Sequence, residues 1–580
     1  MPGPTPHRGP SPRHRPLRTL LLAALLAPLP VLAGDTAAPL LSVGEGRCPN
    51  PLPDFSHAGY GNGLIPVPEA SGKLIDARDY GVVADDALDD SAALQKALAA
   101  ARAVTGPVIL QLPAGRLIVS DVLRIDRSDI VVRGQGSGVG GTELFFPRPL
   151  RIVDKSQELK ELREYLVENN KYQVERDNNV HALFSEYSWT GGFLWVAPAN
   201  NRPAAYLSRY DTPSSSNRLG QLQGGVQGQS QVTFDAGSKL AVGDVVQIRW
   251  FNQQGPDGAL VKELYGADRS QLKVGANHWN FPDRALAVQT VRIEAITGNE
   301  ATLSSPLLHD INAQLPADVA SWPHLSNVGI EEISFVFPEG SSFGHHQEEG
   351  YNAIHFAGVY DGWIRNIRSR DADAAVLTYD SANLTLSDMV IEGKRKAHYA
   401  VHVGNVHNVL VRDIDVFNPV IHTFSINTQA TRNVFLRARA WQEPVIDQHA
   451  GANHQNLFDN LILHITARRD KAGQACYPIW NGSGAGYWEP GHGRYNTTWN
   501  LQVAVDGGAA PDETVRLDGS DEGPDARVIG ISGNRRFTVN YRPAPLLRSL
   551  NQPLADAPSL YELQLARRKA GLPVPTCITD

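Results

Sequence analysis

The sequence predicts an all-β chain wound as a parallel β-helix. Two observations carry this. From about residue 325 the chain repeats itself in short strand-like segments: "SNVGIEEISFVF", "YDGWIRNIRS", "ANLTLSDMVIEG", "HNVLVRDIDVFN", "RNVFLRARAW" and "QNLFDNLILHI". Aligned on the polar residue opening each, they place Asn327, Asp361, Asn383, Asn408, Asn433 and Asn456 in one column, at spacings of 34, 22, 25, 25 and 23 residues. Four of them are followed five residues later by Glu332, Asn366, Asp388 and Asp413. Asn and Asp accept the left-handed backbone of a sharp turn, and stacked asparagines can hydrogen-bond along a ladder. A unit of this length cannot bury its apolar face alone; stacked at about 4.8 Å, successive units close a common core. The second observation is composition. With 52 Gly and 39 Pro in 580 residues and few Lys/Glu runs, many short strands and turns are favoured. A leucine-rich repeat shares the period, but its LxxLxLxxN spacing is absent.

Taken in order, residues 1–33 read as a secretory signal. Arg8, Arg13, Arg15 and Arg18 precede "LLLAALLAPLPVLA", with Val31 and Ala33 small before a cut after Ala33. No later apolar stretch approaches the ~20 residues of a membrane span, so a secreted or periplasmic protein is expected. Without the four arginines, 49 Lys+Arg face 61 Asp+Glu, a net charge of −12. That sign disfavours a nucleic-acid partner. Three cysteines, Cys48, Cys476 and Cys577, allow one disulfide and leave the pairing open. The oligomeric state is also open.

Residues 34–149 contain an acidic turn (Asp85, Asp86, Asp89, Asp90), an Ala/Leu helix at about 91–103, the strand "VILQLPAG", and then "IVVRGQGSGVGGTELFF". Residues of about 74–147 resemble the N-terminal cap of the pectate-lyase-like superfamily of right-handed parallel β-helix proteins, and 325–505 resembles it by repeat pattern. The resemblance implies a right-handed coil whose open end is plugged by an N-terminal capping helix. That fold hosts lyases, hydrolases, epimerases and tailspikes, so it implies little chemistry. Residues 150–320 break the period. "SQELKELREYLVENN" reads as an exposed helix, and strands around Gly turns follow, so this is expected to be an inserted small β region. Residues 321–505 are the main β-helix, and 506–580 a closing cap and tail.

Strands in a common phase force the irregular segments between them onto one corner. These segments are 338–352, 370–374, 394–399, 419–423 and 442–454. They bring together His345, His346, Glu348, Glu349, Tyr351, Arg370, Asp371, Asp373, Lys394, Arg395, Lys396, His398, Tyr399, His422, Asp447 and His449, with His402 beside them. A 25-residue phase would place His422 and Asp447 in register one coil apart, and Tyr399 and His449 two coils apart. The plain alternative is a solvated ridge. The density of histidines beside carboxylates and lysines argues for proton transfer instead. Trp480 and Trp488, in "WNGSGAGYWEPGHGRYNTTWN", could stack on sugar rings or pack as an aromatic plug.

A long open corner suits a polysaccharide. For β-elimination on a uronate, Lys394, Arg395 or Lys396 could meet the carboxylate, while His398, His422 or Tyr399 moves protons and Asp447 assists. The remaining corner residues would bind substrate. For hydrolysis, Asp371, Asp373, Asp447 and Glu349 could supply a carboxylate pair. A non-catalytic glycan-binding β-helix is the third class. Elimination is preferred because the basic trio and histidines sit together. No cofactor is required. Ca²⁺ could use Asp371, Asp373, Glu348 and Glu349, whereas a zinc site needs three converging ligands. Adjacent His345 and His346 should point apart on an extended loop, so the two are not expected to share a metal.

Overall fold

The computed structural model describes residues 40–43, 48–169, 184–199, 217–252, 257–266, 285–449, 452–480, 491–519 and 523–579. The leader and Trp488 lie outside them. Two parallel stacks of short strands dominate. One runs from Lys73–Asp76 through Val108–Gln111, Ile130–Arg133, Val328–Val336, Val359–Arg370, Ala382–Glu392 and Leu410–Val416. It continues through Val434–Leu436, Leu457–Asp459, Thr497–Gly507, Arg527–Gly533 and Leu546–Leu550. The other is a seven-stranded sheet: Leu123–Ile125, Leu194–Val196, Asn352–Ala357, Ala374–Tyr379, Ala397–Gly404, Val420–Asn427 and Ile446–His449. Between them lies one apolar core, in which Val376, Val401, Phe424 and Ile446 form a row on successive strands.

Turn chemistry makes the coil. Glu332, Asn366, Asp388 and Asp413 all hold φ between 50° and 64°, the left-handed bend inside the long strands. Asn327, Asp361, Asn383 and Asn408 do the same at the opening turn, with φ of 55–56°. The next coils differ from the simple alignment. Arg432 and Gln455 take the left-handed position, and Leu410 pairs with Val434. This leaves Asn433 one residue out of step with Asn408. The shift frees the side chain to bridge coils: Asn433 Nδ2 donates to Asn456 Oδ1 (3.0 Å), and Asn456 Nδ2 to Asn496 Oδ1 (3.2 Å).

The helix Ser91–Arg102 buries Leu94, Ala97, Leu98 and Ala101, one face at helical spacing, against the first coils. Residues 150–320 are not wholly an insertion, because Leu194–Val196 is a strand of the seven-stranded sheet. The helix Lys160–Asn169 is amphipathic rather than simply exposed, with Leu162 and Leu166 in the main core. The inserted unit is a closed antiparallel barrel of six strands between Arg218 and Ser321, with its own core around Trp250, Val261 and Leu264. Nor does the coil stop at 505: two further parallel strands continue it to Leu550. The final helix, Leu560–Lys569, docks beside the asparagine turn, where buried Asp459 accepts from Ser559 Oγ and the Leu560 and Tyr561 amides. Cys48 and Cys577 form a disulfide and Cys476 is a buried thiol. Among the described residues no helix is long and apolar enough to cross a membrane.

Candidate active site

The opposite corner of the coil collects imidazoles. Strand Ala397–Gly404 begins with His398 and Tyr399, and Val420–Asn427 carries His422 at its third position. Ile446–His449 supplies Asp447 and His449, and the loop 338–351 supplies His345 and His346. The register differs from a uniform 25-residue phase. Tyr399 lies beside His422, Ser425 beside Asp447, and Asn427 beside His449. Successive offsets in this sheet are 23 and 22 residues, because the turn-to-turn period counted length added elsewhere in the coil. Asp447 therefore reaches His422 diagonally.

It does reach it. Asp447 is fully buried, with Oδ2 3.2 Å from His422 Nδ1 and Oδ1 3.4 Å from His449 Nδ1. Ser425 Oγ donates to the same carboxylate at 2.6 Å. Burial alone would raise this carboxyl, but His422 and His449 outweigh it and hold it well below the usual carboxylate range. A second pair repeats the pattern. Glu348 Oε1 lies 3.2 Å from His398 Nδ1 while Ser188 Oγ donates to Oε2. Burial again opposes the shift, and His398 brings Glu348 down to about 2. A carboxylate can only accept, so each contact favours the tautomer with its proton on Nδ1 and the lone pair on Nε2. His422 is pushed below its ordinary value by burial, with Asp447 acting against the shift.

His345 caps the group from the loop. Its Nε2 is 3.3 Å from His422 Nε2, and one nitrogen each of His345, His398 and His422 lie within 4.8 Å of one another. His422, Asp447 and His449 form a second such group around the buried carboxylate. His345 and His346 do not point apart. Their rings stack at 3.7 Å because His346 has φ 65°, a left-handed rather than extended backbone. His346 is held between that ring and Trp189, 4.8 Å away.

The remaining expected site residues take other places. Tyr399 is buried, stacked on His398 and His422 at 4.3 and 5.0 Å, and burial raises its phenol well above the ordinary value. His402 is buried against the Thr378 carbonyl at 3.2 Å. Lys394 is turned outward to Glu339 at 2.6 Å, and Lys396 lies 3.9 Å from Glu443. Arg395 is buried, donates to the carbonyls of Pro338, Ser341 and Asp371, and lies over the rings of Phe343 and Tyr351. It anchors the loop that carries His345. Asp371 accepts the amides of Lys394 and Arg395, and Asp373 those of Gly350 and Tyr351. Burial raises Asp373 to about 6. Arg370 pairs with Glu392, and Glu349 lies 4.0 Å from Arg151. Trp480 is buried with Nε1 on Thr498. Ser188, Ser425 and Trp189 were missed. Ser188 and Trp189 come from a stretch without periodicity, so no pattern placed them at this corner.

The class is a parallel β-helix with pectate-lyase-like first coils. Residues 74–158 match the family model described as rhamnogalacturonase A/epimerase, pectate lyase-like. No curated protein matches the chain. Among solved structures, the tailspike protein gp49 from Pseudomonas phage LKA1 is similar at 12% identity, covering 82% of this chain and 81% of that one with a TM-score of 0.38. A hyperthermoactive exopolygalacturonase from Thermotoga maritima is similar at 11% identity over 84% and 94% of the two chains, with a TM-score of 0.33. PfbA, a surface adhesin of Streptococcus pneumoniae, is similar at 12% over 82% and 91%, also at 0.33. Likenesses this distant carry no chemistry, which has to come from the residues.

Proposed function

We propose that the protein is a carbohydrate-active enzyme that cleaves a uronate-containing polysaccharide by β-elimination at the histidine corner. In this reading the coil is right-handed, as nearly all parallel crossovers are, the helix Ser91–Arg102 closes its open end, and the leader 1–33 exports it to meet the polymer. One observation carries the choice of chemistry. The corner presents imidazoles, whereas Asp371, Asp373 and Asp447 are bound to backbone amides or to histidines, and Glu349 lies 4.0 Å from Arg151. Inverting or retaining hydrolysis needs two carboxyl groups facing the bond.

His449 is the proton-transfer group. Its side chain is partly exposed, at 16%, and its Nδ1 faces Asp447, which leaves Nε2 to take the C5 proton. The C5–H bond breaks, its electron pair forms the C4–C5 double bond, and the C4–O bond breaks. The proton on His449 then passes to the leaving oxygen. Asp447 fixes the tautomer and stabilises the imidazolium, a role typically worth 10²–10⁴ in rate together with the base itself. Digestion of a panel of acidic polysaccharides tests the reading. An ultraviolet-absorbing unsaturated product is expected. New reducing ends without absorbance would move the reaction to hydrolysis, and tight binding without cleavage would make the protein a glycan binder.

A further inference from the structure

We propose that His345, His398 and His422 bind one divalent transition-metal ion of the zinc class, with its fourth position left open by the protein. Three observations of geometry carry this. First, the rings form a nearly equilateral tripod, with centroids 4.9, 5.4 and 5.2 Å apart. Three imidazoles on a tetrahedral ion at Zn–N distances of 2.0–2.1 Å have centroids about 5.2 Å apart and nitrogens about 3.3–3.4 Å apart. The His345 and His422 Nε2 atoms are already 3.3 Å apart. Second, His398 is 1% exposed and neither of its ring nitrogens makes a hydrogen bond, although Nδ1 lies 3.2 Å from Glu348 Oε1. A buried ring nitrogen without a partner is costly, and a cation within the tripod would satisfy it. Third, Glu348 and Asp447 stand behind His398 and His422 on Nδ1. A carboxylate behind an imidazole fixes the tautomer and makes Nε2 a better ligand, the usual arrangement behind metal-bound histidine.

The donor set selects the ion. Three neutral nitrogens suit zinc and its neighbours, whereas Ca²⁺ takes six to eight oxygens. The carboxylates of Asp371 and Asp373, suggested by the sequence as Ca²⁺ ligands, are occupied by backbone amides. His345, the exposed member of the three, completes the tripod, and three protein ligands leave a tetrahedral ion one open position. A role follows that rests on the elimination reading. Lys394 pairs with Glu339, Lys396 lies 3.9 Å from Glu443, and Arg395 anchors its loop, so each cationic side chain of that trio already has a partner other than a uronate carboxylate. The ion would meet it about one ring away from His449, whose centroid is 5.1 Å from that of His422.

The test is metal binding by the untagged full chain without substrate. The protein is dialysed against chelator, titrated with Zn²⁺ by calorimetry, and its content measured by atomic absorption. Co²⁺ loading should give the visible absorption of a tetrahedral ion. One ion per chain is expected, with loss of the ion in His398→Gln and His422→Gln. His345→Ala, on an exposed loop and expected to fold, should lose it too. Glu348→Gln should weaken binding by about 10–100-fold, and excess Ca²⁺ should not compete. Absence of a stoichiometric ion, or binding unchanged in folded His345→Ala and His422→Gln, would overturn the site. So would loss in His449→Ala with retention in His398→Gln, which would move the ion to the other side of His422. An ion bound by a protein that makes no unsaturated product would uphold the site and overturn the elimination.

Discussion

Two corners of the same coil stack one residue type across neighbouring strands, with opposite results. At one, Asn433, Asn456 and Asn496 each find the next through amide donors and acceptors, and backbone amides of Val409, Asn433 and Asn456 fill the remaining acceptors. An amide carries both donor and acceptor, so a stack of amides satisfies itself. At the other, His398 and His422 set Nδ1 3.2 Å from Glu348 and Asp447, and one nitrogen of each comes within 4.8 Å of the other and of His345. An imidazole held that way offers only a lone pair. The first stack is closed chemistry and holds the fold. The second is unfinished chemistry and waits for a proton, a cation or a substrate.

The difference can be attacked from either side. The largest expected effects are on the asparagine side. There the C-terminal helix docks, with Trp499 Nε1 donating to Ala557 and Asn500 Nδ2 to Pro558, and the Cys48–Cys577 bond ties down the segment beyond it. Reducing that bond should cost about 2–5 kcal/mol in denaturant unfolding, with turnover per folded molecule unchanged. Asn456→Ala removes the central rung and strands its partners, for an expected loss of about 3 kcal/mol, the cost of one or two buried groups left unsatisfied.

The histidine side should respond to acid instead. His355 and His402 are buried and burial depresses each to about 3. Their unfolded value is about 6.5, so the unfolded chain binds protons that the folded one refuses. Their stabilising contribution is complete above pH 6.5 and falls as pH drops below it towards 3. Each should remove about 1–2 kcal/mol between pH 6.5 and 5, measured as a shift in urea midpoint. His402→Gln should flatten that dependence, while a loss of the same slope in Asn456→Ala would blur the distinction between the corners. The smallest effect is expected from Lys394→Ala. Its surface pair with Glu339 faces away from the tripod, so turnover should not change; a large loss would return the uronate-binding role to this lysine.

These contrasts also show what the sequence could and could not reveal. The coil was legible because Asn, Asp and Glu recur where the backbone must turn left-handed, a local requirement that leaves a local mark. The convergence of loops at one corner followed from the same period. The register within the second sheet did not follow, because a turn-to-turn count of 25 hides how residues divide between strands and loops. That is why Ser425, not His422, lies directly beside Asp447. The roles of Arg395, Asp371 and Asp373 were also hidden. Charge in a loop reads as available chemistry until the backbone amides and carbonyls it satisfies are seen. Ser188 and Trp189 had no periodic context, since their coil is interrupted by the barrel. The stacking of His345 on His346 depends on one positive φ at a non-glycine residue, which sequence does not announce.

The most direct measurement takes two variants through the same pair of assays. His449→Ala and Asn456→Ala are compared with the parent for ultraviolet-detected turnover on an acidic polysaccharide and for unfolding in denaturant. His449→Ala should lose 10²–10⁴ in turnover, the usual worth of a positioned proton-transfer group, and lose less stability than Asn456→Ala, because His422 and Ser425 still partner the buried Asp447 carboxylate. Asn456→Ala should lose stability and keep its turnover wherever it is folded. Parent-like turnover in folded His449→Ala, or loss of stability alone in both variants, would show that the histidine corner is structural like its counterpart and contradict its assignment as the site of reaction.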